Sequence, residues 1–239
     1  MIALLCSVQT EADFLLKTMS AQSRSSTGAK PVIEGILAGR QVFLCIGGMG
    51  KANAAHAATM LLSRRGIEAL IVFGIAGAYP GSGARIGEVA LATEEISGDE
   101  GVLAPAGFKD TEHIGIPLVR IGSVQMYNTF PAPLPLLDRA RRALASLPTQ
   151  VHEGPFVTVS TCSGTAERAS ELEQRYHGLC ENMEGAAAAQ VALYHDIPWL
   201  EVRGISNLVE DRDLRKWDIP GAASVAQKAV IAILEQAGR

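Results

Sequence analysis

The chain has 239 residues, 48% of them hydrophobic, and its 21 Lys and Arg oppose 25 Asp and Glu, a formal net charge of −4. A chain of this length buries roughly 70–75% of its extended surface, so its core needs neither a disulfide nor a metal. The charge balance argues against nonspecific nucleic-acid binding, which depends on an excess of Lys and Arg. No apolar run reaches the ~20 residues that span a bilayer, so we expect no membrane insertion.

The cysteines and the N-terminus predict the compartment. Cys6, Cys45, Cys162 and Cys180 are scattered, without a CxxC pair or a histidine at zinc-binding spacing. The first six residues lack the basic segment and the cleavage site of a secretory signal. We therefore expect a reduced, cytoplasmic protein without a structural metal.

Short apolar runs alternate with longer amphipathic stretches from end to end. The predicted strands are Ile2–Ser7, Val32–Leu37, Val42–Ile46, Leu70–Phe73, Glu88–Ala92, Phe156–Ser160 and Trp199–Ile205. The predicted helices are Glu11–Met19, Gly50–Arg65, Leu134–Ala145, Thr165–Tyr176, Met183–His195 and Ala222–Ala237. Several strands are apolar throughout, as expected where helices cover both faces of a sheet. The alternation favours an α/β fold with a mostly parallel sheet.

Two stretches interrupt this pattern. Residues Ser20–Lys30 are polar and are predicted to form a mobile connection. Residues Gly98–Pro135 hold five of the eleven prolines and little periodicity, which predicts an irregular excursion. Because neither stretch is long enough to separate two domains, the sequence predicts one domain over residues 1–239.

Two glycine-rich turns follow predicted strands. Gly47–Lys51 opens a helix whose N-terminus favours an anion, but Ala52 after the Lys departs from a phosphate-binding P-loop. A tight turn with glycines for packing is the favoured interpretation there. Gly74–Ala78 ends an apolar strand, where small residues often border a ligand crevice in α/β sheets.

Polar residues at element ends are the other candidates for chemistry. Glu184 opens an alanine-rich helix, where it either complements the helix dipole or accepts hydrogen bonds from sugar hydroxyls. Periodicity alone favours the structural interpretation of Glu184, and Glu11, near the end of the first strand, can be an N-terminal helix charge and nothing more. Ser160 and Ser163 lack the GxSxG elbow of a serine hydrolase.

The order and spacing of these segments resemble the nucleoside phosphorylase and nucleosidase superfamily over nearly the whole chain. The resemblance implies one α/β domain around a central mixed, partly barrel-like sheet flanked by helices. It also implies hydrolysis of the N-glycosidic bond of a small nucleoside, no metal or organic cofactor, and a homo-oligomer. The matching segments are Ser7–Glu11, Gly48–Lys51, Gly74–Ala78, Ile86–Val89, Met183–Ala186 and Arg203–Asn207.

The resemblance also implies residue roles. Glu11 matches the glutamate that activates the attacking water, Arg203 an arginine close to it, and Asn207 the residue that stabilises the leaving base. The implied substrate-binding residues are Glu184 at the ribose hydroxyls, Met183 against the sugar, Ser206 at the base, Ile75 at the water side, Thr165 bordering the base and Trp217 near the 5′ substituent.

Two departures refine the expected reaction. Adenine-releasing nucleosidases normally carry Asp where this chain has Asn207, and an amide suits a 6-oxopurine with acceptors at N7 and O6. The arginine that binds phosphate in many phosphorylases is absent from Ile71–Phe73, which favours water as nucleophile. The chain most resembles the branch that cleaves futalosine and releases hypoxanthine. The alternatives are a methylthioadenosine/S-adenosylhomocysteine type of nucleosidase, a phosphorylase, or a non-catalytic nucleoside-binding protein.

Overall fold

The computed structural model describes residues 1–236, and a ten-stranded mixed sheet lies at its centre. The described strands are β1 (Ile2–Cys6), β2 (Ser20–Thr27), β3 (Lys30–Leu37), β4 (Arg40–Ile46), β5 (Ala69–Ala78), β6 (Val89–Ser97), β7 (Gly101–Ala104), β8 (Gly107–Asp110), β9 (Val119–Ile121), β10 (Val124–Met126), β11 (Thr129–Pro131), β12 (Val151–Thr158), β13 (Cys180–Asn182) and β14 (Trp199–Leu208).

Five of the strands close into a small barrel. Strand β6 pairs with β12, β12 with β13, β13 with β5, β5 with β14, and β14 returns to β6. From β5 the sheet continues through β1, β4, β3 and β2, and β11 is added beside β6. Both parallel and antiparallel pairs occur, so the sheet is mixed, as the resemblance implied, and not mostly parallel.

Helices cover the sheet on both sides. They are α1 (Asp13–Thr18), α2 (Lys51–Leu62), α3 (Thr111–Ile114), α4 (Leu134–Leu144), α5 (Ala166–Tyr176), α6 (Gly185–Tyr194) and α7 (Ile219–Gln236). The end predicted at Ala237 for the last helix lies outside the described residues. Helices α2 and α6 contact each other through buried alanines, whose small side chains allow two helices to lie close together.

The apolar strands explain this layering. In β1, Ile2, Leu4 and Cys6 belong to the core that includes α4 and α7 residues, whereas Ala3 and Leu5 belong to the core beneath α2 and α6. Successive side chains of a strand point to opposite faces, so a strand that is apolar throughout contributes to two cores. The interpretation of the unbroken apolar runs is confirmed.

The polar stretch Ser20–Lys30 was predicted wrongly. It contains strand β2, which pairs antiparallel with β3 and lies at the open edge of the sheet. An edge strand pairs with a neighbour on one side and faces solvent on the other. Backbone hydrogen bonds to β3 can therefore form this strand without an apolar pattern in its sequence. The stretch Gly98–Pro135 contains two short hairpins, β7–β8 and β9–β10, besides α3 and β11.

Among residues 1–236, no helix is both long enough and apolar enough to cross a lipid bilayer.

Candidate active site

A cavity of about 250 Å³ lies where the parallel strands β1, β5 and β14 end. Carboxyl ends of parallel strands meet at one edge of a sheet, which is where α/β proteins place ligands. Its walls come from residues distant in the sequence. They include Ser7, Val8, Glu11, Met49, Ile75, Gly77, Cys162, Ser163, Glu181, Met183, Glu184, Arg203, Ser206, Asn207, Arg212 and Trp217.

Glu11 is held by the backbone of two strand ends. Its Oε2 accepts hydrogen bonds from the N–H groups of Ser7 at 2.9 Å and Val8 at 3.1 Å, and its Oε1 accepts from Ile75 N–H at 2.9 Å. A side chain at Gly74 would overlap the Glu11 carboxylate, so the glycine permits this approach. A carboxylate has about four acceptor sites, and three are filled here. One site remains for a water in the cavity.

Glu184 lies between β13 and α6 and faces the same cavity. Its Oε1 accepts from the N–H of Gly50 at 2.9 Å, and its Oε2 contacts Nη2 of Arg203 at 3.3 Å. Gly50 precedes α2, so the Glu184 carboxylate lies at the N-terminus of that helix. The helix dipole favours a negative charge at this position. Two of the four acceptor sites stay unfilled and are open to a ligand.

Arg203 joins the carboxylates beneath the cavity. It is 1% exposed, and it donates to Glu201 Oε1 at 2.7 Å, to Ile75 O at 3.1 Å and to Glu184. Burial acts to lower the pKa of Arg203, but the charges of Glu201, Glu184 and Glu11 outweigh it and raise the pKa. Arg203 therefore stays charged and neutralises part of the negative charge around it.

Behind Arg203 lies a pair of buried carboxyl groups that the sequence analysis missed. Glu95 accepts from Thr158 Oγ1 at 2.6 Å and from Asn182 Nδ2 at 2.9 Å. A Cβ at Gly185 would overlap both the Glu95 and Glu201 carboxylates, so the glycine lets them converge. Glu201 Oε2 has no hydrogen-bond partner within the described part of the chain. A proton on Glu95 can fill that position by donating to Glu201.

Glu95→Gln is expected to reduce the loss of stability that occurs as the pH rises above about 4.3. Burial, followed by the Glu201 charge, raises the pKa of Glu95 well above its ordinary value, so the folded state favours its protonated form. Such a group contributes stability that is complete below its unfolded pKa of about 4.3 and is lost as the pH rises through its folded pKa. Urea denaturation at increasing pH should show a smaller loss of unfolding free energy for the variant than for the wild type.

The half-buried neighbour Glu94 on the same strand provides the control for this measurement. Glu94→Gln removes the same charge from the adjacent residue and shows what charge removal alone does to unfolding. Equal pH slopes for the wild type and Glu95→Gln would contradict a protonated Glu95.

Asn207 reaches the cavity from the end of β14. Its Oδ1 accepts from the hydroxyl of Ser206 at 2.7 Å, and its Nδ2 donates to the carbonyl of Leu208 at 3.0 Å. One N–H and one acceptor site of the amide remain for a ligand. The sequence analysis matches this amide to two acceptors of the base, N7 and O6, and the structure leaves one N–H of Asn207 free to bind them.

Glu181 is a further carboxylate at the cavity that the sequence analysis did not single out. Ser163 donates to it twice, from its N–H at 2.8 Å and its hydroxyl at 2.6 Å, and Tyr79 Oη lies 3.4 Å from it. Burial raises the pKa of Glu181 above its ordinary value, and the hydrogen bonds from Ser163 and Tyr79 offset only part of that rise. Glu181 lies three residues before Glu184, and no sequence signal separates it from a surface charge.

The structure brings eight of the nine sequence-predicted site residues to one cavity. Trp217 lies at one side, with the Arg212 guanidinium 4.8 Å from its ring centre. Thr165 is exposed and caps α5 by accepting from the N–H of Arg168 at 3.2 Å, outside the set of lining residues. Cys162 and Ser163 line the cavity from the same loop instead.

The fold and the site define an α/β protein with a cavity lined by carboxylates, an arginine and an amide at the ends of its parallel strands. Residues 1–237 match the model of the family described as the Phosphorylase superfamily, so the chain belongs to this superfamily. Its resemblance to the superfamily, stated from sequence motifs, is confirmed.

Two kinds of hydrolase are among the relatives of this chain. The chain is 36% identical over 194 residues to a futalosine hydrolase from Thermus thermophilus, with 80% of each chain covered. It is 30% identical over 212 residues to a 5′-methylthioadenosine/S-adenosylhomocysteine nucleosidase from Maridesulfovibrio salexigens, with 88% of this chain and 87% of the relative covered. A nucleosidase of the latter kind from Neisseria meningitidis, solved with methylthio-immucillin-A, has the same fold, with a TM-score of 0.85, 24% identity and 98% of both chains covered.

Proposed function

We propose that the protein is an N-glycosidase that hydrolyses futalosine, releasing hypoxanthine and dehypoxanthine futalosine in menaquinone biosynthesis. The main support is that Glu11, Glu184 and Asn207 line one cavity with complementary unused hydrogen-bonding sites. Similarity to futalosine hydrolases at 32–36% identity supports this choice of substrate.

Each of these residues has a distinct role in the proposed reaction. Glu11 uses its free acceptor site to orient a water and take its proton as the water attacks the anomeric carbon. Glu184 accepts hydrogen bonds from the ribose hydroxyls and stabilises the positive charge that develops on the sugar. Asn207 donates its remaining N–H to the departing base, which gains negative charge as the bond breaks.

Identification of the released base tests this proposal. The protein is incubated with futalosine, inosine, adenosine and methylthioadenosine, with and without phosphate, and the products are separated by chromatography. We expect hypoxanthine from futalosine and a free sugar product whether or not phosphate is present. A phosphate requirement would identify a phosphorylase, and preferential release of adenine from methylthioadenosine would identify the other nucleosidase type. Binding without base release would identify a nucleoside-binding protein.

Asn207→Ala is expected to lower kcat on futalosine by roughly 100-fold or more, the loss typical of removing one donor from developing negative charge. The control is Asn53→Ala, which removes an amide that contacts Lys30 Nζ and the Met49 carbonyl. Steady-state kinetics of both variants give the comparison. Near-normal turnover of Asn207→Ala would refute the leaving-group role.

The location and assembly of the protein stay predictions. We propose a cytoplasmic homo-oligomer, as the superfamily resemblance implies. Size-exclusion chromatography with light scattering measures the oligomeric state directly.

A further inference from the structure

Glu181 is a buried carboxylate that the proposed reaction does not use. Its side chain lines the cavity together with Asn207, and the residue is 7% exposed. Ser163 and Tyr79 fill three of its about four acceptor sites. Hydrogen bonds from these donors favour the ionised form of the carboxyl group, and one acceptor site is left for a ligand.

Strand register places Glu181 and Asn207 on opposite sides of Gly77. Gly77 of β5 pairs with Glu181 of β13 and with Asn207 of β14. Neighbouring strands lie about 4.8 Å apart, so the Cα atoms of Glu181 and Asn207 are separated by roughly 10 Å across the glycine. A Cβ at Gly77 would lie 3.0 Å from Asn207 Nδ2 and 2.8 Å from Val209 Cγ2. The glycine keeps the floor between the two polar side chains flat enough for a planar base.

Asn207 alone does not select between the two kinds of purine. Its one unused N–H can bind N7 or O6 of a 6-oxopurine. It can equally bind N7 of a 6-aminopurine, whose amino group then donates to the unused acceptor site, as in the bidentate pairing of amides with adenine. Discrimination needs a second group that contacts a different atom of the base.

We propose that Glu181 determines base specificity by accepting a hydrogen bond from N1–H of a 6-oxopurine whose N7 and O6 edge faces Asn207. This inference rests on the proposed function and identifies how the base is selected. N1 of a 6-aminopurine carries a lone pair instead of a hydrogen, so the Glu181 carboxylate repels it. Specificity therefore arises both from the attractive contact with the 6-oxopurine and from the repulsive contact with the 6-aminopurine.

Binding of free bases tests the inference without requiring catalysis. Calorimetry on the wild-type protein uses hypoxanthine, 1-methylhypoxanthine and adenine. A hydrogen bond to a charged group corresponds to a factor of about 10 to 100 in affinity, so hypoxanthine should bind more tightly than the other two by that factor. Equal affinity for hypoxanthine and 1-methylhypoxanthine in the wild type would overturn the inference without any variant.

Two variants separate a hydrogen bond from simple crowding by the added methyl group. In Glu181→Gln the preference for hypoxanthine over adenine should fall by about 10-fold or more. In Glu181→Ala, which also removes bulk, the affinities for hypoxanthine and 1-methylhypoxanthine should become similar. Glu167→Gln removes an exposed carboxylate on α5 and should preserve both ratios. Thermal melting shows whether each variant is folded, and an unchanged base preference in folded Glu181→Gln would overturn the inference.

Failure of this inference is distinguishable from failure of the proposed function. If the wild type prefers hypoxanthine through N1–H but leaves futalosine intact, base selection by Glu181 stands and the hydrolase proposal is refuted. If futalosine is cleaved while folded Glu181→Gln keeps the wild-type ratio of kcat/KM for futalosine and methylthioadenosine, the hydrolase proposal stands and the role of Glu181 is refuted.

Discussion

Replacement of Glu11 by Gln is expected to lower kcat on futalosine by about 10²- to 10⁴-fold, the contribution of a positioned general base. The amide cannot take a proton from water, and its NH₂ group would face at least one backbone N–H that now donates to the carboxylate. Single-turnover measurements at saturating substrate isolate the chemical step from product release. KM should change much less than kcat, because the proposed role of Glu11 concerns the water rather than the nucleoside.

Asp13→Asn provides the matched control for Glu11→Gln. Asp13 lies two residues further along, and its carboxylate accepts from the side chain of Gln9, outside the cavity lining. The control should keep wild-type kcat, which separates the loss of the catalytic carboxylate from a general effect of charge removal in this turn. If Glu11→Gln retains turnover within a few-fold of the wild type, the water is activated by another group.

The sequence predicts the fold well where apolar runs are long. The runs at Ile2–Ser7 and Trp199–Ile205 are buried on both faces, and each corresponds closely to an observed strand. Ser20–Thr27 forms a strand despite its polar sequence, because pairing with β3 supplies the hydrogen bonds that the pattern cannot reveal. Strand β13 has three residues, too few for any period to be detected.

The candidate site is predictable only in part, because it too depends on hydrogen bonds between residues far apart in the sequence. Motif spacing identifies Glu11, Glu184 and Asn207, but the number of ligand sites that each offers depends on donors far away in the sequence. Glu184 is bound by Gly50, 134 residues earlier, and Glu11 by Ile75, 64 residues later. The filled acceptor sites can be counted only in the three-dimensional structure, and that count separates Glu184 from the other two carboxylates at the cavity. Glu11 and Glu181 each have one site left, whereas Glu184 has two.

Arg203→Met is expected to destabilise the protein by about 3–5 kcal/mol, the usual cost of removing one partner from a buried ion pair. The Arg203 guanidinium contacts Glu201 at 2.7 Å and Glu184 at 3.3 Å, and all three side chains are almost fully buried. Methionine of similar length fills the space but leaves these carboxylates without a counter-charge. Urea denaturation should show the loss as a lower transition midpoint. Arg215→Met, at a surface pair with Asp213, should change the midpoint little.

A second substitution shows where the cost of Arg203→Met arises. If uncompensated charge causes the loss, Glu201→Gln should recover part of the stability in the Arg203→Met background while destabilising the wild type. Residues in one ion-pair network are coupled, so the two effects should not add. Additive losses would mean that packing around Arg203, rather than its charge, stabilises the floor of the cavity. In that case, the buried carboxyl pair behind Arg203 would be independent of it. Glu95→Gln should then change the pH dependence of the unfolding free energy by the same amount in the wild type and in the Arg203→Met background.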